Sequence, residues 1–174
     1  MNTLDAIFTR KSVREFSDKP VSEETIKTIL KAGMSGPSCV NSRPFEFIVV
    51  DDENVINGMV QANGRAAAPL WDAAFGIMVC GDLDKTFKPA PGYWVIDCSI
   101  ACQNMLLAAH ELGLGAVWLG TYPQEERVMN QVELFNLPDN IVPHSILAFG
   151  YPADGAEFPM RNLYEEERVH RNKW

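Results

Sequence analysis

Near the N-terminus, Arg10-Lys11-Ser12-Val13-Arg14 sets three cations and a hydroxyl side by side in a chain whose net charge is −8. A phosphate group needs such donors: guanidinium forks take its oxygens two at a time, and a hydroxyl adds another bond. A solvated basic turn paired with Glu15 and Asp18 accounts for the same residues, and charge spacing alone does not separate the two. A second stretch, Gly36 to Pro44 (GPSCVNSRP), sets Ser38, Asn41 and Ser42 between two prolines and feeds an apolar, β-prone run, Phe45 to Val50. A third, Gly113 to Gly120 (GLGAVWLG), contains G-x-G. A dinucleotide fingerprint follows a strand and opens a helix, whereas this run ends a helix and opens a strand. Gly113 therefore reads as a helix C-cap and Gly115 as part of a tight turn.

Other chemistry is missing from the sequence. There is no P-loop, no G-x-S-x-G elbow and no H-E-x-x-H. His110, His144 and His170 are scattered, and His110 reads as a packing or capping residue. Cys98 and Cys102 share a helix face, but no C-x2-C pair exists among the four cysteines. They read as reduced, buried thiols, and no metal is expected. Apolar residues make up 47% of the 174 residues and charged ones 22%, the balance of a globular chain. The acidic charge argues against nucleic acid or an anionic membrane as partner. No apolar run reaches bilayer length, and no signal peptide is evident, so the expectation is a cytoplasmic protein of one domain, 1–174.

The elements that would position these residues follow from pattern and caps. A short helix is expected over Met1–Arg10, with Thr3 as N-cap. A better one runs from Ser22 to Gly33, capped by Ser22 with Glu23 and Glu24 at the positive end of its dipole. Strands are expected at Phe45–Val50, Phe75–Cys80, Ala116–Leu119 and His144–Phe149. Helices are expected at Glu53–Gln61, Asp97–Leu112 and Gln124–Phe135, the middle one apolar on most faces and central. Ala62–Leu70 has no clear type, and Gly81–Trp94 reads as a loop. Strand–helix alternation indicates α/β or α+β, and by itself favours parallel strands.

In order along the chain, a helix, RKSVREF, a capped helix ending KAG, GPSCVNSRPFEFIVV, NMLLAAHELGLGAVWLG, FGYP and an arginine in the tail resemble the nitroreductase family of FMN-dependent oxidoreductases, in a short form. The resemblance covers essentially the whole chain. It implies an α+β fold with a central, mainly antiparallel sheet flanked by helices. It also implies a homodimer with FMN at the shared interface, and the helix Asp97–Leu112 in or near that interface.

By the same resemblance, Arg10 and Ser12 match phosphate ligands, Lys11 a neighbouring contact, and Arg14 a basic residue near the phosphate or the pyrimidine edge. Pro37, Ser38, Val40 and Asn41 match a loop that reaches the flavin from the partner subunit. Trp118, Leu119, Gly120 and Thr121 match a strand end against the isoalloxazine, with a backbone N–H near Gly120 facing N5. Arg161 matches a tail cation closing on the phosphate. The implied activity is ping-pong hydride transfer from NADH or NADPH through FMN to nitroaromatics, quinones or similar flat small molecules. Flavin does that chemistry itself, so no dedicated catalytic acid or base is expected. A carrier or sensor without turnover, and a specialised flavin enzyme such as a reductive dehalogenase, are the alternatives. Arg65 is the one cation near the place where many relatives hold the pyrimidine edge. Trp71, Phe87, Tyr93 and Trp94 suit either an acceptor pocket or core packing.

Overall fold

A computed structural model describes residues 2–174. Its helices are α1 Thr3–Thr9, α2 Glu23–Met34, α3 Glu53–Asn63, α4 Tyr93–Glu111 and α5 Glu125–Phe135. Its strands are β1 Phe45–Val50, β2 Phe75–Asp82, β3 Gly115–Gly120 and β4 Ile141–Gly150, in one sheet of order β1-β2-β4-β3. Every neighbouring pair is antiparallel. The parallel arrangement favoured by alternation alone is thereby corrected, and the α+β sheet implied by the resemblance is the one observed.

The reason lies in the stretch that had no clear type. Val50 at the end of β1 stands opposite Gly76 at the start of β2, so their connection must return to the same end of the sheet. α3 leads away over about 16 Å. A 3₁₀ segment, Arg65–Leu70, then begins the way back. Spacing does not reveal that second pass.

Both sheet faces are covered. On one, Ile26 and Ile29 of α2 and Cys98, Ala101, Cys102 and Met105 of α4 pack over Phe75, Ile77, Val79, Leu147 and Phe149. On the other, Ile56, Met59 and Val60 of α3 join Leu70, Met78, Val117, Leu119 and Ile146. All residues of β2 are buried for this reason, which is why it reads as a continuous apolar run.

Caps refine the boundaries. The Thr25 N–H donates to Ser22 Oγ at 3.2 Å, as expected of that N-cap. Asn2, not Thr3, caps α1, its side-chain oxygen taking the Asp5 N–H at 3.0 Å. Met1 lies outside the described residues. Gly33 does not end α2; it sits inside the helix where a Cβ would lie 2.8 Å from Met105 Cγ of α4. α4 starts at Tyr93, before the expected Asp97, and takes Trp94 into the core over Gly81. Its end has Gly113 at φ 79°, with the Gly113 N–H on His110 O and the Leu114 N–H on Ala109 O. That pair of bonds is a Schellman closure, which favours glycine at this position. Between β2 and β4 the register slips at His144, a bulge beside Pro143, which has no N–H to give the ladder. Among the described residues no helix is long and apolar enough to cross a membrane.

Candidate functional site

The basic run leaves α1 and lies along the outer edge of β3. Ser12 bridges Ala116 in parallel, and the Val13 N–H donates to Ala116 O at 3.0 Å. Gly115 permits this approach: a Cβ there would lie 2.6 Å from Val13 Cγ1. Thr9 and the His110 ring, 2.7 Å apart, tie α1 to the C-terminal end of α4, so His110 does hold elements together.

After β4 the tail folds back over this run. Ser17 N–H bonds Tyr151 O, and Ala153 N–H bonds Glu15 O. Arg161 is anchored by its N–H on Phe8 O at 3.1 Å, and its guanidinium reaches the carbonyls of Phe8 and Arg10. Lys11 stands 5.0 Å over the Phe158 ring. A cleft of about 320 Å³ opens between Lys11–Glu15 and Ala153–Ala156. Arg10 and Arg161 thus meet although 151 residues separate them, and Lys11, Ser12 and Arg14 line the adjoining cleft. Burial and then the Arg161 charge push the Arg10 pKa down. The ion pairs among the described residues are those of Lys85 with Glu46 and Asp82, and of Arg168 with Glu165. None engages Arg10, Arg14 or Arg161. Two guanidiniums that oppose each other without a carboxylate between them suit a bound anion, and a phosphate fits that donor set.

The loop Pro37–Asn41 lies elsewhere. Its Cys39 N–H donates to the buried Asp97 carboxylate at 2.9 Å, and Ser38 Oγ takes the Arg43 N–H at 2.9 Å. Val40, Asn41 and Arg43 have φ of 48°, 57° and 50°. A β-branched residue at positive φ costs on the order of 1–3 kcal/mol, and here Val40 is also 70% exposed. Asp97 and His110 mark the two ends of α4, roughly 20 Å apart along its axis. Within one chain, therefore, the loop and the basic cluster do not meet.

Trp118 to Thr121 lie at the far end of β3. Because β3 is an edge strand and Ala116 turns its carbonyl outward to Val13, alternation turns the backbone groups of Trp118 and Gly120 outward too. Gly120 is exposed, and the sheet face is open there, with no atom within 4 Å of where a Cβ would be. A flat ring edge could lie there. Side chains are disposed otherwise: Leu119 points into the core, and the wholly buried Thr121 gives its hydroxyl to Asn63 Oδ1 at 2.8 Å. The groups left to face a ligand are the outward backbone of Trp118 and Gly120.

Asn63 and Arg127 escaped the sequence reading. Asn63 Nδ2 donates to Gly120 O at 3.1 Å, and Arg127 Nη1 donates to the same carbonyl at 2.9 Å. Asn63-Gly64 reads as a helix end and Arg127 as one more charge beside Glu125 and Glu126, so neither carried a local signal. Arg65 is exposed on the 3₁₀ segment. Of the aromatics, Trp94 is core, stacked edge-on against Tyr122 at 5.0 Å, whereas Trp71 is exposed and donates to Asn57.

The fold defines the class, and comparison with known proteins agrees. Residues 7–151 match the nitroreductase family. A protein of Methanothermobacter thermautotrophicus, provisionally named NADH dehydrogenase/NAD(P)H nitroreductase, is 45% identical over all of this chain and 88% of its own length. A crystal structure from Parabacteroides distasonis, under the same provisional name, superposes with a TM-score of 0.90 at 39% identity, covering 100% of both chains. An FMN-dependent nitroreductase of Clostridium difficile gives a TM-score of 0.87 at 28% identity, over 98% of this chain and 99% of that one. The chain belongs to the nitroreductase family, whose members are FMN-dependent oxidoreductases that use NADH or NADPH.

Proposed function

We propose that this chain is an FMN-dependent NAD(P)H oxidoreductase working as a homodimer, which reduces nitroaromatics, quinones or similar flat acceptors by a ping-pong cycle. One observation carries the reading. Arg10 and Arg161 meet, with Ser12 in the adjoining cleft, at one end of an edge strand whose other end, at Gly120, is exposed, while the strained loop at Val40–Asn41 is displaced along α4. A flavin phosphate suits the first, a ring edge suits the second, and a neighbouring copy would receive the third.

Bound FMN supplies the hydride acceptor and donor; the protein binds and orients it. Arg10, Ser12 and Arg161 hold the phosphate, with Lys11 and Arg14 contributing positive field. The outward N–H of Gly120 orients the ring. Pro37, Ser38, Val40 and Asn41 of one copy cover the flavin of the other. Apolar side chains exposed on α1 (Leu4, Ile7), on α4 (Ile96) and in the tail (Leu163, Tyr164) support burial against a second copy. Free cysteines, three of them buried, support a cytoplasmic location.

The test is an anaerobic absorption spectrum before and after NADH or NADPH, followed by a quinone. Yellow protein that bleaches and recolours supports the reading. Yellow protein that resists both donors makes it a carrier, and protein that takes up no FMN overturns the reading.

A further inference from the structure

We infer that Asn63 and Arg127 are positioning residues that hold the Gly120 end of β3 for the flavin ring and so set its redox poise. The inference rests on the flavin reading above and goes beyond the phosphate cluster and the partner loop. Gly120 is the last residue of an edge strand. It has no side chain to anchor it, it is exposed, and nothing lies within 4 Å of its missing Cβ. Glycine in such a place is free to wander in φ and ψ, and its outward N–H would wander with it.

Two helices prevent this. From the end of α3, wholly buried Asn63 donates to Gly120 O and accepts the Thr121 hydroxyl. From the first turn of α5, Arg127 donates to the same carbonyl. Both amide ends of Asn63 are used on two consecutive residues, so the grip fixes the direction of the peptide and not merely its place. A buried amide is tolerated only when its hydrogen bonds are met, and both ends of Asn63 find their partners in the strand end. The Arg127 guanidinium, bonded at the N5 side, also adds a positive field across the ring, which gains negative charge at N1 and O2 on reduction. Removing that charge, or adding a negative one beside it, therefore weakens reduced FMN more than oxidised FMN.

The experiment compares Asn63→Asp, Arg127→Met and Arg127→Lys with the parent protein. Asn63→Asp keeps the acceptor for Thr121, loses the donor to Gly120 and adds negative charge. Arg127→Met alters a half-exposed helix residue and leaves the core intact, so it remains decisive if Asn63→Asp does not fold. For Asn63→Asp and Arg127→Met we expect oxidised FMN to bind within threefold of the parent. The ratio of reduced to oxidised affinity should fall about tenfold, a midpoint potential about 30 mV more negative for a two-electron couple. Arg127→Lys should recover most of the shift. In the FMN-free proteins, amide exchange at Gly120–Tyr122 should quicken in the same two variants. Unchanged potentials in both, with FMN bound, overturn this inference alone. A parent protein that binds no FMN overturns the flavin reading and this inference with it.

Discussion

Arg10 carries a charge that burial and the Arg161 guanidinium both oppose, and a bound phosphate would relieve both. Arg10→Ala and Arg161→Ala should each weaken FMN binding by about 1.5–3 kcal/mol, the worth of a charge-assisted hydrogen bond. Fluorescence titration of FMN checks this, and unchanged affinity in both would remove the phosphate assignment. His144 is a second residue with a measurable consequence. Burial pushes its pKa from 6.5 down to about 4, so the folded protein keeps the ring neutral. Its neighbours are Trp94, Trp118 and the hydroxyls of Ser99 and Ser145. A depressed folded pKa means that the stability is complete above pH 6.5 and is lost as pH falls through the interval down to about 4. The loss should approach about 3 kcal/mol at pH 4. Denaturant melts of the parent and of His144→Gln across this interval should show the slope shrinking in the variant.

At the scale of elements, the approach of the basic run to β3 depends on Gly115. Gly115→Ala would drive a methyl against Val13, and such overpacking costs about 1–3 kcal/mol. It should also lift Arg10–Arg14 off the strand and weaken FMN binding. Gly113→Ala, two residues away, is the control. Its φ of 79° makes alanine costly by roughly 1 kcal/mol, yet no site contact depends on it. Thermal melts should fall for both variants, with FMN affinity falling only for Gly115→Ala. Element types were legible because their signals are local. The Ser22 cap with its two glutamates, the run Phe45–Val50 and the Gly113 closure need only a few adjacent residues to be recognised. Boundaries that depended on packing were not legible: Gly33 remains helical because Met105 of α4 accepts its bare backbone, and Trp94 is helical because Gly81 leaves room for its ring.

At the scale of the whole molecule, the strained loop and the basic cluster stand at opposite ends of α4. If the loop serves a neighbouring copy, Asn41→Ala should impair the site of the partner and not its own. Mixed dimers carrying Asn41→Ala in one copy and Arg10→Ala in the other should then combine both lesions in one site and leave the second intact. Titration would show about half the sites with parental affinity. A uniform loss would mean that the loop serves its own chain.

The sequence by itself determined the parts that neighbours along the chain control. These are the caps, the apolar runs, the donor set of Arg10–Arg14, and an ordered series of motifs sufficient to identify the family. Strand direction was decided only in the tertiary structure, because the return pass through Arg65–Leu70 follows from packing over the sheet and leaves no periodic signal. The hold on Gly120 was likewise hidden. Asn63, Gly120 and Arg127 meet only when α3 and α5 close over the end of β3, and a hydrogen bond across 57 residues has no signature in spacing.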